Sequence, residues 1–252
     1  MNPEAQGHYT GLVADWYDDF LAGEGEDIQL YVSLLAREGG PLLELACGTG
    51  RLMLPFLREG IEIDGIDLSD EMLARCRDKL AEEGYAPTLS RQDIQDFHMD
   101  RLYRGIFISG GSFQLLTTQE AALGALRSAH RHLLPGGRFI LDLVIGPSPF
   151  GASDPNTWQI GRIARRGGER VVYSVRSESD PYTQVSRLLT RYEYVRDGAL
   201  IETILDELRL REYSRGEAEL LLERAGFVVE SVEQRRIMST HAVSVLFVCR
   251  RP

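Results

Sequence analysis

The chain has 252 residues, 43% hydrophobic and 26% charged, the composition of an ordinary globular protein with room for one elaborated domain. Its net charge of −10 repels phosphate backbones and disfavours nucleic acid as a partner, and no apolar run is long enough to span a bilayer. The three cysteines, Cys47, Cys76 and Cys249, are odd in number and lack C-x-x-C, which argues against a disulfide framework or a cysteine zinc site. With no basic and then apolar leader at the N-terminus, they fit a reducing, cytoplasmic setting.

In chain order, Leu12, Trp16, Phe20 and Leu21, then Ile28, Tyr31, Val32 and Leu35, recur at helical spacing, and Gly39-Gly40 ends the second run. PLLELA predicts a strand, and GRLMLPFLREG a helix with Pro55 near its first turn. IEIDGID is a strand. SDEMLARCRDKLAEEG is a helix capped by Ser69, with Met72, Leu73, Cys76 and Leu80 on one face. TLSRQD and GIFISGG are strands, TQEAALGALRSAHRHLL is a helix stopped by Pro135-Gly136-Gly137, and RFILDLVI is a buried strand.

From Pro41 to Ile145 strands therefore alternate with helices, the signature of a parallel sheet covered on both faces. GPSPFGASDPN then reads as a linker. RVVYSVRSES, QVSRLLTRYEYVRDG and LIETILDELRLREY follow with a period of two, and Asp197-Gly198 is a hairpin signal. They predict an antiparallel insert of about three strands over residues 147–213, with the short RRGGER at Arg165–Arg170 as a turn with solvated flanks. SRGEAELLLERAGF opens with a capping box, Ser214 to Glu217, and two closing strands, FVVESVEQ and AVSVLFVCR, complete the chain. The expected fold is α/β. A doubly wound, mostly parallel seven-stranded sheet forms one domain over residues 1–252, with an N-terminal helical lid over 1–40 and the β insert.

ELACGTGRL, Glu44 to Leu52, places Gly48 and Gly50 where the first strand meets its helix. Glycine lets backbone turn tightly and approach a ligand, and the helix aims free N–H groups at the same spot. The next strand ends in Asp67, seventeen residues beyond Gly50, where a carboxylate at the cleft mouth can accept both hydroxyls of a ribose. Taken alone, the glycines would serve close packing and Asp67 would be solvated. The βαβ context favours an adenosine site. The dinucleotide fingerprint needs a small residue at Met53, and the Gly-Lys-Ser/Thr of a Walker loop is absent, which leaves an adenosine ligand without a pyrophosphate.

ELACGTGR resembles the first motif of class I S-adenosylmethionine-dependent methyltransferases, IDLSDEML the second, RQDIQDF the third, and HLLPGGRFILDL the later helix, loop and fifth strand of that Rossmann-like fold. The late insert and closing strands are similar to small-molecule methyltransferases, including amino-sugar N-methyltransferases. The resemblance implies S-adenosylmethionine as cofactor and S-adenosylhomocysteine as product. It implies that Glu44 orients the loop near the methionine ammonium, and that Ala46, Cys47, Gly48 and Gly50 lie against the methionine part. Asp67 would hold the ribose, Leu68 and Met72 the adenine face, and Asp93 and Ile94 would bracket the adenine. Ser109 and Gly110, with Gly111, would flank the sulfonium. Tyr9, Trp16 and Tyr17 are candidates to close over the cofactor, with a core role fitting Trp16 better. Arg51 either pairs with the methionine carboxylate or begins its helix on the solvent side.

A sulfonium methyl is already activated, so in-line displacement needs chiefly proximity and alignment. An amine need only lose its proton, whereas a hydroxyl benefits from a base. Base candidates are Tyr17, His241 and, before the first helix, His8 and Tyr9. His130 reads as a packing histidine and His132 as solvated. Asp142 has no companion carboxylate, and no metal site is expected. The predicted function is methyl transfer to an amine or hydroxyl of a small molecule, by a monomer or homodimer. The alternatives are a nicotinamide-dependent oxidoreductase, disfavoured at Met53, and a non-catalytic binding protein of the same fold.

Overall fold

The computed structural model describes residues 9–21, 26–145, 156–236 and 243–252. Residues 146–155 of the linker, together with His8 and His241, lie outside them. Two sheets organise the chain. Seven strands form the larger one in the order β10-β11-β5-β4-β1-β2-β3. These are β1 (Leu42–Leu45), β2 (Ile63–Asp67), β3 (Leu89–Arg91), β4 (Tyr103–Ile108), β5 (Leu133–Ile145), β10 (Val228–Arg236) and β11 (Val243–Arg250). The first five pair in parallel and β11 runs antiparallel between β5 and β10. Strand order reverses beside β1, because β1 pairs with both β2 and β4. That is the crevice in which open α/β sheets bind ligands. All four residues of β1 are buried, as a central strand covered on both faces requires.

Helices α3 (Glu26–Leu35), α4 (Met53–Arg58), α5 (Asp70–Glu82), α6 (Gln119–His132) and α7 (Arg215–Arg224) accompany this sheet. Ser69 caps α5 by accepting from Met72 N–H, and Ser214 caps α7 by accepting from Glu217 N–H. The helix after the glycine turn is shorter than the sequence suggests, beginning only at Met53. Helix α6 ends at His132 and the chain is already extended from Leu133, so Pro135-Gly136-Gly137 lies inside β5 instead of stopping the helix. His132 is buried, not solvated. Its Nε2 accepts Met99 N–H at 3.1 Å, its Nδ1 donates to Ser128 O at 2.8 Å, and its ring stacks on Phe97. These bonds hold it neutral, and burial lowers its pKa. No helix among the described residues is long and apolar enough to cross a membrane.

The smaller sheet is an antiparallel meander of four strands, not three: β6 (Gln159–Arg166), β7 (Glu169–Asp180), β8 (Val185–Arg196) and β9 (Ala199–Arg211). The added strand is β6, joined to β7 at Gly167-Gly168, so the arginines around that turn sit on paired strands. Asp197 and Gly198, at φ of 50° and 82°, make the two-residue hairpin turn between β8 and β9. Two short helices, α1 (Gly11–Asp15) and α2 (Tyr17–Phe20), pack on one face of the meander. Trp16, 2% exposed, packs with Ala164, Val171 and Tyr194, and the Arg166 guanidinium lies over its ring at 4.4 Å. Arg166 also pairs with Asp15 and Asp19. Trp16→Ala should therefore destabilise the protein by about 3–5 kcal/mol, the range for emptying a large aromatic site. Thermal unfolding checks this, and an unchanged melting temperature would contradict the packing role.

Candidate cofactor and acceptor site

Beyond β1 the backbone enters a run of left-handed residues: Ala46 at φ 55°, Gly48 at 55° and Gly50 at 75°. A left-handed alanine costs roughly 1–2 kcal/mol, a strain that points to function. The turn is held from outside. Cys47 N–H donates to Ile66 O at 3.0 Å and Gly48 N–H donates to Asp67 Oδ2 at 2.8 Å. Asp67 Oδ1 accepts Ser69 N–H at 2.9 Å. One carboxylate thus fastens the turn after β1 to the start of α5. Asp67 lines the cavity and at the same time holds the turn, a structural role that its place at the strand end did not announce. Burial raises its pKa, and its backbone hydrogen bonds oppose that rise.

Below the turn the sulfur atoms of Cys47, Met53 and Cys76 fill the space. A Cβ on Gly50 would stand 2.6 Å from Cys76 Sγ, and one on Gly65 would stand 2.8 Å from Cys47 Sγ. Gly50 and Cys47 therefore serve packing in this structure. Glu44 is buried beside the turn. Its Oε2 is without a hydrogen-bond partner among the described residues, and burial pushes its carboxyl well above the usual range. Arg51 makes a two-pronged pair with Asp27, at 2.8 and 2.6 Å.

A cavity of about 300 Å³ opens above the turn. Its wall takes in Ala46, Gly48, Asp67, Leu68 and Met72 on one side and Asp93 and Ile94 on another. Tyr9 and Tyr17 close one part, their rings packed edge-to-face at 5.8 Å. Glu44, Cys47, Gly50, Arg51, Ser109 and Gly110 are not on this wall. The Asp93 carboxylate accepts from Gln95 N–H and Gln95 Nε2, at 3.0 and 3.1 Å. Gln92, Gln95 and the segment Leu115–Thr118 also line the cavity and escaped the sequence reading, since nothing in their local pattern marks them.

Tyr17 is placed by a relay that sequence reading also missed. Thr49 Oγ1 donates to Asp18 at 2.6 Å, and Lys79 pairs with Asp18 at 2.5 Å. The residue after Tyr17 is thereby bolted to the glycine turn and to α5. Burial lifts the Tyr17 phenol to about 12, Arg51 opposing, and lifts that of Tyr9 further. Beyond these tyrosines stands the inner face of the meander, where Tyr173 and Tyr192 are direct cross-strand partners with rings 5.1 Å apart. Phe20 packs on both rings. Tyr192 and Tyr194, two apart on one strand, were the available signal for an inward aromatic face.

Asp142 accepts from Ser244 Oγ at 2.6 Å and Tyr31 OH at 3.3 Å, tying β5 to β11 and α3. Among the described residues no group of three or more His, Cys, Asp or Glu is placed to hold a metal ion.

A family profile described as "Methyltransferase domain" matches residues 42–137, the span from β1 into β5. Over 230 residues the chain is 29% identical to dTDP-3-amino-3,4,6-trideoxy-alpha-D-glucopyranose N,N-dimethyltransferase of Streptomyces venezuelae, covering 87% of this chain and 92% of that protein. The crystal structure of DesVI from Streptomyces venezuelae matches with a TM-score of 0.75 and 25% identity, covering 96% of this chain and 99% of that one. The fold is shared too with S-adenosylmethionine-bound CalS10, an amino pentose methyltransferase from Micromonospora echinaspora. There the TM-score is 0.76 and the identity 19%, over 98% of this chain and 99% of that one.

Proposed function

We propose that the chain is a class I S-adenosylmethionine-dependent methyltransferase that methylates an amine of a small molecule, and that this acceptor is the amino group of a nucleotide-linked amino sugar. The observation that carries this reading is the juxtaposition of the glycine-turn cavity with the aromatic inner face of the meander, Tyr9 and Tyr17 standing at the seam. Similarity to the amino-sugar relative covers 87% of the chain and so extends beyond the 42–137 region.

The residues suit the cofactor. A carboxylate has about four lone-pair sites, and Asp67 commits one on each oxygen to backbone, which leaves one on each for the ribose hydroxyls. The unpartnered Oε2 of Glu44 suits the methionine ammonium, directly or through water. Leu68, Met72 and Ile94 offer apolar surface to the adenine, with Asp93 at its edge. When bound, S-adenosylmethionine supplies a methyl group carried on a cationic sulfur. The protein's part is to align the acceptor and keep water out. Tyr9 and Tyr17 stay un-ionised, so they act as hydrogen-bonding and π-face walls, not as bases. An amine acceptor needs no more than that.

Glu44 gives the cofactor assignment a pH signature. Burial raises the pKa of its carboxyl in the free protein, and a cation bound beside it favours the ionised form. Binding of S-adenosylmethionine is therefore expected to release a proton at pH below the raised pKa of free Glu44, and affinity should rise with pH up to that pKa. Calorimetry in two buffers of different ionisation enthalpy measures this. Glu44→Gln should abolish the release, and proton-neutral binding by the parent would remove Glu44 from the site.

The acceptor is tested with labelled S-adenosylmethionine and a panel of dTDP-amino sugars, simple amines, phenols, neutral sugars and RNA. Transfer to the amino sugars is expected. Transfer to phenols or RNA alone would overturn the acceptor while leaving the cofactor in place.

A further inference from the structure

Strand β5 outruns its parallel neighbour. Its pairing with β4 ends at Ile108 and Leu141, whereas its pairing with β11 continues through Val144 to Ile145. The backbone groups of β5 that face the β4 side beyond Leu141 need other partners. Gln114 supplies them from its side chain. Its Oε1 accepts Val144 N–H at 2.7 Å and its Nε2 donates to Val144 O at 3.1 Å, the exchange that two directly paired antiparallel residues make. Nε2 also donates to the carbonyl of Arg211, the last residue of β9, at 3.0 Å. One N–H and two carbonyls leave this amide a single orientation, and the side chain is buried.

The same residue belongs to a wall of the cavity. Gly110 and Gly111, at φ of 62° and 72°, lead from β4 into a short 3-10 turn, Ser112–Leu115. A Cβ on Gly111 would stand 3.1 Å from Gln114 Oε1 and 3.3 Å from Val144 Cγ2, so the glycine leaves room for the clamp. Ser112 and the segment Leu115–Thr118 line the cavity on either side of the buried Gln114. Ile108 pairs with Leu45, so this wall starts beside the glycine turn, where the methionine part and its sulfur are proposed to lie. The exit of the meander holds the rest of it. Phe113 packs on Tyr213, Leu116 O accepts Tyr213 OH at 3.3 Å, and Thr117 O accepts from Arg211 at 3.4 Å.

We propose that Gln114 is a positioning residue for methyl transfer: its amide fastens the cavity wall that begins at Ser112 to β5 and to the exit of the meander at once. The assignment rests on the methyltransferase reading. The acceptor nitrogen uses its lone pair to form the bond to the methyl carbon while the carbon–sulfur pair returns to sulfur, and the nitrogen then sheds a proton to solvent. Nitrogen, carbon and sulfur must stand in one line for this, and a wall displaced by about 1 Å can cost on the order of 100-fold in rate. A side-chain amide acting as a strand residue removes that freedom at the end of the wall nearest the glycine turn. It also makes the docking of the meander part of the alignment, since Arg211 shares the clamp.

The test compares the parent with Gln114→Met, Gln114→Glu, Gly111→Ala and, as a control on an exposed amide, Gln119→Met. The acceptor is dTDP-3-amino-3,6-dideoxyglucose, or the simple amine methylated fastest should the parent refuse the sugar. Gln114→Met keeps the length of the side chain and loses all three hydrogen bonds. It should lower kcat at saturating substrates by about 10- to 100-fold, while Kd for S-adenosylmethionine rises by no more than about 3-fold. Gln114→Glu keeps the acceptor and, when protonated, one donor, so its kcat should fall between those of Gln114→Met and the parent. Gly111→Ala presses on the same amide and should lower kcat with the same sparing of Kd, which preserves the test if Gln114→Met does not fold. Gln119→Met should match the parent. Parental kcat in folded Gln114 variants, even with a lower melting temperature, would make the clamp structural only and overturn this role. So would a loss of cofactor affinity as large as the loss of kcat. A parent that methylates neither acceptor would overturn the methyltransferase reading and this assignment with it.

Discussion

Asp67→Ala is expected to weaken S-adenosylmethionine binding on the order of 100-fold or more, because two charge-assisted hydrogen bonds of about 1.5–3 kcal/mol each are lost. The same substitution should lower the melting temperature of the ligand-free protein. Gly48 and Ser69 both donate N–H to this carboxylate, and each would be left to find water or go unpaired. Asp67→Asn separates the two effects, since its side-chain oxygen retains one backbone partner while the charge is gone. Calorimetric titration and thermal melts of the three proteins read both quantities. Parental affinity in the alanine variant would take Asp67 out of the cofactor site, and a parental melting temperature would contradict its role as the fastener of the turn.

Gly48→Val is expected to bring cofactor binding below detection, a loss beyond about 100-fold, in a protein that still folds. The positive φ of Gly48 disfavours any side chain by roughly 1–2 kcal/mol. Space decides the rest. A bare Cβ there would meet Met72 Cε at 3.4 Å and Tyr17 Cε1 at 3.9 Å, ordinary contacts, so alanine should bind weakly but measurably. The two γ-carbons of valine add bulk at the cavity wall. Circular dichroism and titration of the alanine and valine variants form the series. Equal binding by all three would mean that the ligand does not approach this backbone.

What the sequence reveals here divides by distance along the chain. The seven strands of the main sheet and their helices were legible because each announces itself by local period, and Ser69, Ser214 and Asp197-Gly198 mark boundaries by local chemistry. Strand β6 was not. Only Ala164 is buried along it, its isoleucines face outward, and a register shift between Ile160 and Arg162 breaks the period of two. His130 does pack, edge-on to Phe227, but the burial of His132 escaped the sequence for a related reason. A stripe drawn through the leucines of α6 passes His130, whereas the buried arc also runs through the small residues Ala122, Ala125 and Ala129 and reaches His132.

The candidate site follows the same division. Gly48, Asp67, Met72 and Asp93 sit in short contiguous motifs. Thr49 with Asp18, and Tyr173 with Tyr192, acquire meaning only when distant segments meet. Gly50 and Cys47, prominent in the motif, face the sulfur-lined core beneath it.

The central claim is methyl transfer to nitrogen, and the most direct measurement follows the methyl group itself. The protein is incubated with S-adenosylmethionine carrying a trideuterated methyl group and dTDP-3-amino-3,6-dideoxyglucose, and the product is fragmented in a mass spectrometer. The account predicts the label on the sugar nitrogen, with S-adenosylhomocysteine formed in equal amount. Label on an oxygen, or cofactor left unconsumed in the presence of that amine, would contradict it.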